Sequence, residues 1–218
     1  MEQYIEPYQY FFIKRETEQL LNVYHSVNDP KTVETVQTLA KENIFEILLQ
    51  EEEAKNAIEP FLNQMMDSRL KKEQADAMLA ELKTRVVPFN QPTKVQVEKI
   101  FRKVKKLKHP DWQIMDLKEH TYIGWNDPGS QKKYILYYQD DQLKGVHGTL
   151  SPTILKGICA ICQKTSQVSM FLSTTKSGSD GTYTKKGNYI CHDSEQCNRQ
   201  LVKLASFYEF TEIVNKEK

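Results

Sequence analysis

Glycine is missing from the first 85 residues, cysteine is missing from the first 158, and no apolar run approaches the roughly 20 residues that span a bilayer. The start, "MEQYIEPYQYFFIKRETEQL", also lacks a basic segment followed by a clean apolar one, so it does not read as a secretory leader. These absences exclude a membrane-spanning chain and a disulfide scaffold, and a soluble cytoplasmic protein is expected. Catalytic signatures are scarce too. "SGSDGTYTKKG" has glycines and lysines without the order of a phosphate loop, and no nucleophile elbow or kinase-like motif occurs. His25, His109, His120, His147 and His192 show no metal-ligand spacing, and His109, before Pro110, reads as a loop residue. Binding is therefore expected in place of catalysis.

Charge of neither sign dominates, since 30 Lys+Arg stand against 29 Asp+Glu for a net of +1. The distribution is uneven. Residues 1–90 carry 10 basic and 16 acidic side chains, and residues 91–218 carry 20 and 13. An acidic module before a basic one suits the second to an acidic partner, whether protein or nucleic acid.

From Pro7 to about Arg85 the chain is rich in Glu, Gln, Leu and Ala, which favour helix. Three breaks divide it. Asn28 or Asp29 can cap a helix that has Pro30 in its first turn; Pro60 should end or kink a helix unless it starts one; Asp67 or Ser68 offers a last cap. Val33, Val36, Leu39, Ala40, Ile44, Ile47 and Leu48 fall three or four apart, as do Phe61, Leu62, Met65 and Met66, then Ala75, Met78, Leu79 and Leu82. Tyr4, Tyr8, Tyr10, Phe11 and Phe12 read as the first helix's core face. Such one-faced helices predict an antiparallel bundle.

"VVPFNQPTK" marks the boundary, giving domains over 1–87 and 88–218. "TKVQVEKIFRKVKKLKHP" follows as an amphipathic helix, capped by Thr93 and buried through Val97, Ile100, Phe101 and Val104. Between Lys94 and Lys108 it has seven basic residues against Glu98 alone, either a solvated face or a surface for RNA or an acidic partner. "TYIGWND", "KKYILYYQD" and "KGVHGTLS" then predict a strand meander, with a tight turn at Asp140 and Asp141.

All four cysteines come next, in "GICAICQK" and "YICHDSEQC". Cys159 and Cys162 have the two-residue spacing of a zinc knuckle, and Cys191 and Cys197 add a second pair after 28 residues. Five residues separate that second pair, and His192 beside Cys191 is an alternative ligand. Between the pairs, an apolar strand through Val168, Met170 and Leu172, a Ser/Gly/Asp turn and a return to Tyr189 and Ile190 predict a hairpin. Asp193 or Ser194 should cap a helix carrying Cys197 in its first turn and running through Leu201, Leu204 and Phe207. Knuckle, hairpin and helix-borne cysteine is the order of a treble-clef finger. Redox use would leave one pair unexplained, and four sulfurs leave no open position for a catalytic water. One structural Zn²⁺ is expected, with folding dependent on it. The fold class read from the whole chain is α+β, an N-terminal antiparallel helical bundle followed by a C-terminal α/β domain containing a treble-clef-like four-cysteine zinc finger.

Taken together, "NDPKTVETVQ", "VVPFNQPT", "KIFRKVKKLKHP", "YIGWNDPGSQKKYILYY", "KGICAICQK", "KKGNYICHDSEQCNRQL" and "FYEF" resemble the FusB-type elongation factor G-binding proteins, the fusidic acid resistance family. The resemblance runs along essentially the whole chain and includes the long gap between Cys191 and Cys197. It implies an N-terminal helical bundle and a C-terminal treble-clef-like zinc domain in a protein that binds elongation factor G near its C-terminal domains and releases the factor from drug-stalled ribosomes, without chemistry on drug or factor. It implies zinc on Cys159, Cys162, Cys191 and Cys197 and a factor-binding surface containing Lys186, Tyr189 and Phe210; Lys185, on the same basic and aromatic return strand, is expected to join that partner surface, and a monomer forming a 1:1 complex is expected. Where the family has an aromatic before the first cysteine, this chain has Ile158. The other reading is an RNA- or ribosome-binding zinc protein that uses the basic second domain.

Overall fold

The computed structural model describes residues 3–48, 52–177 and 183–215. The chain divides into two compact units, Met1–Pro88 and Phe89–Lys218. Each has its own core.

In the first unit, α1 (Pro7–Ser26), α2 (Pro30–Ile47), α3 (Glu52–Met65) and α4 (Lys72–Lys83) form the helical layer. Asp29 caps α2 by accepting from Lys31 N and Thr32 N at 3.4 and 3.1 Å, and Pro30 supplies a first-turn residue whose missing N–H costs nothing. The core gathers Ile5, Tyr10, Phe11, Ile13, Leu20, Ala40, Ile44, Ile58, Phe61, Leu62, Met65, Leu79 and Leu82, with Tyr4 and Phe12 packed at its margin. Leu39, expected in the buried stripe, is instead 51% exposed, since the stripe drifts and leaves it on the outer face of α2. Pro60 lies inside α3 and neither begins nor ends it. Before α4 the cap is not Asp67 or Ser68. Lys71 takes that position, its N–H donating to Gln74 Oε1 at 3.0 Å, while Asp67 turns to Arg69.

The second unit opens with α5 (Lys94–Ile100), capped by Thr93, whose Oγ1 accepts from Gln96 N. Here the expected long helix stops early. Phe101 closes a turn with Val104, and Lys106 adopts φ 57°, a left-handed conformation that no α-helix continues through. Strands β1 (Ile123–Asp127), β2 (Lys132–Gln139) and β3 (Gln142–Leu150) form the meander, and Asp140 and Asp141 at φ 52° and 57° make its tight turn. β4 (Leu155–Ile158), β5 (Thr165–Ser177) and β6 (Tyr183–Cys191) follow. The sheet order is β1-β2-β3-β5-β4, with β6 on the other side of β5, and all pairs are antiparallel. The Ser/Gly/Asp turn between β5 and β6 lies outside the described residues.

Strand alternation gives the meander two faces. Ile123, Trp125, Tyr134 and Leu136 face one side and pack with Phe89, Val97 and Phe101. Tyr122, Gly124, Asn126, Lys133 and Tyr137 face the other, where α6 (Ser194–Gln200) and α7 (Leu204–Val214) lie. Helix α6 ends at Gln200, so the expected continuous run through Phe207 is two helices. Phe207 is core as expected, stacked on Tyr122 with ring centroids 5.0 Å apart and edge-on to Tyr137 at 5.2 Å.

Candidate functional site

Four buried sulfurs meet where the knuckle after β4, the end of β6 and the first turn of α6 converge. Cys159, Cys162, Cys191 and Cys197 are 0–2% exposed, and their Sγ atoms all lie within 4.8 Å of one another. Cys159 and Cys197 Sγ are 3.8 Å apart, and Cys162 and Cys191 Sγ 3.7 Å. A tetrahedron with Zn–S bonds of about 2.3 Å has S···S edges of about 3.8 Å, so the donor set fits one zinc ion. Two backbone amides, Ile161 N and Cys191 N, donate to Cys159 Sγ at 3.3 Å each, a contact suited to a thiolate. Neighbouring thiols, Cys162 first, hold the Cys159 thiol far below its ordinary range.

The local sequence explains the convergence. Cys159 N donates to Lys164 O and Gln163 N to Cys159 O, closing the knuckle, and Gln163 takes the left-handed φ of 57° that the turn needs. Ala160 N donates to Tyr189 O, which pins the knuckle to β6. Asp193 caps α6 by accepting from Glu195 N at 2.8 Å, and Cys197 sits one turn in. His192 is no member of the cluster: its Nδ1 meets Ser169 Oγ at 3.0 Å. Because that hydroxyl already donates to Thr153 O, it accepts from the imidazole, which fixes the Nδ1–H tautomer.

Two residues that the sequence reading missed support this centre. Asn198, next to Cys197, is 1% exposed and binds the backbone of Thr121 and Tyr122 through both ends of its amide. Lys133 is also 1% exposed, and its Nζ donates to His192 O at 2.8 Å and Asn126 Oδ1 at 3.1 Å. Burial pulls this ammonium down to about 8, against the opposing pull of Cys197, Asp193, Cys191 and Cys159. An alternation break was the available signal, since Lys133 stands on the covered face between Asn126 and Ile135.

The expected partner residues do not form one patch. Tyr183, Lys185 and Tyr189 lie on one face of β6, with Lys185 Nζ 5.3 Å from the Tyr183 ring centre. Lys186 pairs with Ser173 and so faces the opposite side, shared with Asn188 and Phe171, where α7 packs. Phe210 departs further from expectation. It is 2% exposed and packs on Phe171 at 5.7 Å, so it belongs to the core beneath β5. The spacing of Phe207, Phe210, Thr211 and Val214, all buried, is the helical signal that places it there. Ile158 is 66% exposed at the end of β4.

Between Lys186 and Tyr189, Gly187 allows the strands to pair closely, because a Cβ there would strike the Phe171 carbonyl oxygen. Gly187→Ala is expected to cost about 1–3 kcal/mol, by the general penalty for overpacking, and to loosen β6. Faster amide exchange along β6 than along β2 is the readout; equal exchange on both strands would show the backbone yields without cost.

Two family models match the sequence: one described as elongation factor G-binding protein, N-terminal, over residues 4–90, and one as FBP C-terminal treble-clef zinc-finger, over residues 94–211. Among the solved chains that match is the fusidic acid resistance protein FusC, 39% identical over 99% of this chain and 100% of that one, with a TM-score of 0.86. No curated protein matches the sequence. The zinc-finger model and the four clustered sulfurs agree on one structural zinc ion as the cofactor.

Proposed function

The chain belongs to the elongation factor G-binding protein family, and we propose that it binds elongation factor G and promotes the factor's release from ribosomes, including those stalled by fusidic acid. The observation that carries this reading is a match of both units to that family's models together with 39% identity to FusC along nearly the whole chain. The protein acts in the cytoplasm as a monomer forming a 1:1 complex with the factor's C-terminal domains. It meets the ribosome only through the factor and performs no chemistry. Four sulfurs closing one zinc support that view, because such a centre has no open coordination position.

Binding alone can drive release. A protein that prefers the ribosome-free conformation of the factor must weaken the trapped complex by the same factor through linkage. The test adds this protein to ribosomes stalled with labelled factor and fusidic acid and compares the dissociation rate with that in excess unlabelled factor. Faster dissociation than in the competitor control supports active release; an equal rate leaves passive capture and overturns it.

The exposed face of β6 supplies the contact. Tyr183, Lys185 and Tyr189 offer rings and a cation together, the composition of an interface anchor. Tyr189→Ala combined with Lys185→Ala is expected to weaken binding to the factor about 10- to 100-fold, with melting unchanged. Lys186→Ala, on the other face, should have the smaller effect, and Phe210→Ala should act through stability. Calorimetric titration of these variants checks the ranking. Lys186→Ala exceeding the double variant would move the contact to the α7 side.

A specific observation keeps the RNA reading alive. Phe101, Val104 and Leu107 pack inward, which leaves Lys99, Arg102, Lys103, Lys105 and Lys106 exposed and, among the described residues, without a salt bridge. Phosphate contacts by these cations would make affinity fall steeply with salt, by about 0.7 log unit per contact per log unit of salt. A β6-anchored protein interface depends on salt far more weakly.

A further inference from the structure

Lys133 poses an electrostatic problem that the sheet does not solve. Its ammonium is buried on the α6 side of β2, and among the described residues no carboxylate forms a salt bridge with it. Asn126, its direct partner across the β1–β2 ladder, accepts one of its hydrogen bonds, and His192 O accepts another. Neither acceptor carries charge. Nor does His192 O depend on the lysine for a partner, because Asn126 Nδ2 already donates to it at 3.1 Å. Hydrogen bonding alone would therefore make Lys133 redundant at considerable desolvation cost.

What lies one residue from that carbonyl is Cys191. Four thiolates around one divalent ion leave a net charge of about −2, buried with the sulfurs. Asp193, the nearby carboxylate, also pulls on Lys133, behind Cys197 and ahead of Cys191 and Cys159, but it is exposed to solvent while the sulfurs are buried. We propose that Lys133 is the built-in countercation of the zinc–thiolate centre, held by Asn126 and the His192 carbonyl so that its charge offsets the excess negative charge of the four sulfurs. A cation fixed beside thiolates stabilises their electrons and lowers their nucleophilicity. Lys133 would thus slow both electrophile attack on the sulfurs and transfer of zinc to competing chelators. This inference rests on the zinc centre and not on the partner, so failure of either reading leaves the other standing.

The test uses zinc-loaded full-length protein. Lys133→Gln retains a donor for His192 O without charge, and Lys133→Met removes both. Zinc transfer to a chromogenic chelator, alone and with N-ethylmaleimide, is expected to run about tenfold faster in both variants than in wild type. In cobalt-substituted protein the sulfur-to-metal charge-transfer band should move to lower energy in both. Wild-type kinetics and band position in Lys133→Gln would assign the residue a hydrogen-bonding role and overturn the proposal. Should both substitutions prevent folding, Asn126→Asp leaves Lys133 in place but pairs it with a carboxylate. Because Asn126→Asp also loses the Nδ2 donor to His192 O, it is compared with Asn126→Leu, which loses that donor without adding charge; faster zinc release in Asn126→Asp than in Asn126→Leu supports the countercation, and equal or slower release refutes it.

Discussion

Cys197→Ser is expected to abolish zinc binding and unfold the cysteine-rich part of the second unit, while the first unit keeps its helices. Serine offers a weak, protonated ligand in place of a thiolate, and Cys197 is fully buried and is the one sulfur that α6 brings to the other three, whereas Gln200 of the same helix meets Cys162 Sγ only as a hydrogen-bond acceptor at 3.5 Å. A structural zinc of this type contributes about 10–16 kcal/mol, as large as the whole stability of an ordinary domain. Around the centre, Ile161, Val168, Ile190 and Leu201 form a buried layer outside the Phe101–Trp125–Tyr134 core. Without metal that layer cannot hold the knuckle against β6. The first unit has no cysteine and its own apolar core, and α1–α4 hold most of the helical residues, so helical circular dichroism should fall only modestly. Metal analysis should find zinc near zero, with near-ultraviolet signal from the aromatic rings reduced. His192→Ala should leave zinc content unchanged, since its ring is turned to Ser169. Full zinc and wild-type melting in Cys197→Ser would mean that three sulfurs suffice.

How far the sequence carried this reading depended on how local each determinant is. Asp29, Thr93 and Asp193 cap helices through hydrogen bonds reaching two or three residues along the chain, so capping chemistry exposed them. The cysteine spacing was as local, and the cluster follows it. Misreadings arose where two structures share a period. Phe101, Val104 and Leu107 recur every third residue, which suits a helix, but here successive turns bury the same residues and Lys106 ends any helical continuation. Lys186 and Tyr189 read as neighbours in a string, yet three residues along a strand is half a period out of phase. Pro60 was legible as an obstacle to helix and Phe61 and Leu62 as a helical stripe after it, while the burial of Ile58 before it, which joins that stripe into one helix, was not. Lys133 left one local signal, its place on the covered face, but the roles of Lys133 and Asn198 depend on His192 and Tyr122, which lie 59 and 76 residues away.

Asn198→Ala is the second large effect expected, and it tests whether the zinc finger and the meander form one cooperative unit. The side-chain Oδ1 accepts from Thr121 N at 2.8 Å and Tyr122 N at 3.2 Å, while Nδ2 donates to Tyr122 O at 3.0 Å and Ser194 O at 2.9 Å. Alanine would strand two buried amides and a carbonyl just before β1, where α6 excludes water. Each unsatisfied group costs about 1–3 kcal/mol, so a loss of about 3 kcal/mol or more is expected. Asn198→Asp should be no better: it keeps both acceptor contacts but brings a carboxylate against the Tyr122 and Ser194 carbonyls. Since Asn198 follows Cys197, freeing it also frees the sulfur-bearing turn, and zinc transfer to a chelator should accelerate. The measurement is amide exchange at Thr121 and Tyr122 in zinc-loaded protein, which reports this clamp separately from the first unit. Exchange raised about 100-fold, with zinc retention weakened, makes α6 and β1 a single energetic element. Faster exchange with unchanged zinc retention would make the finger independent of the sheet it rests on.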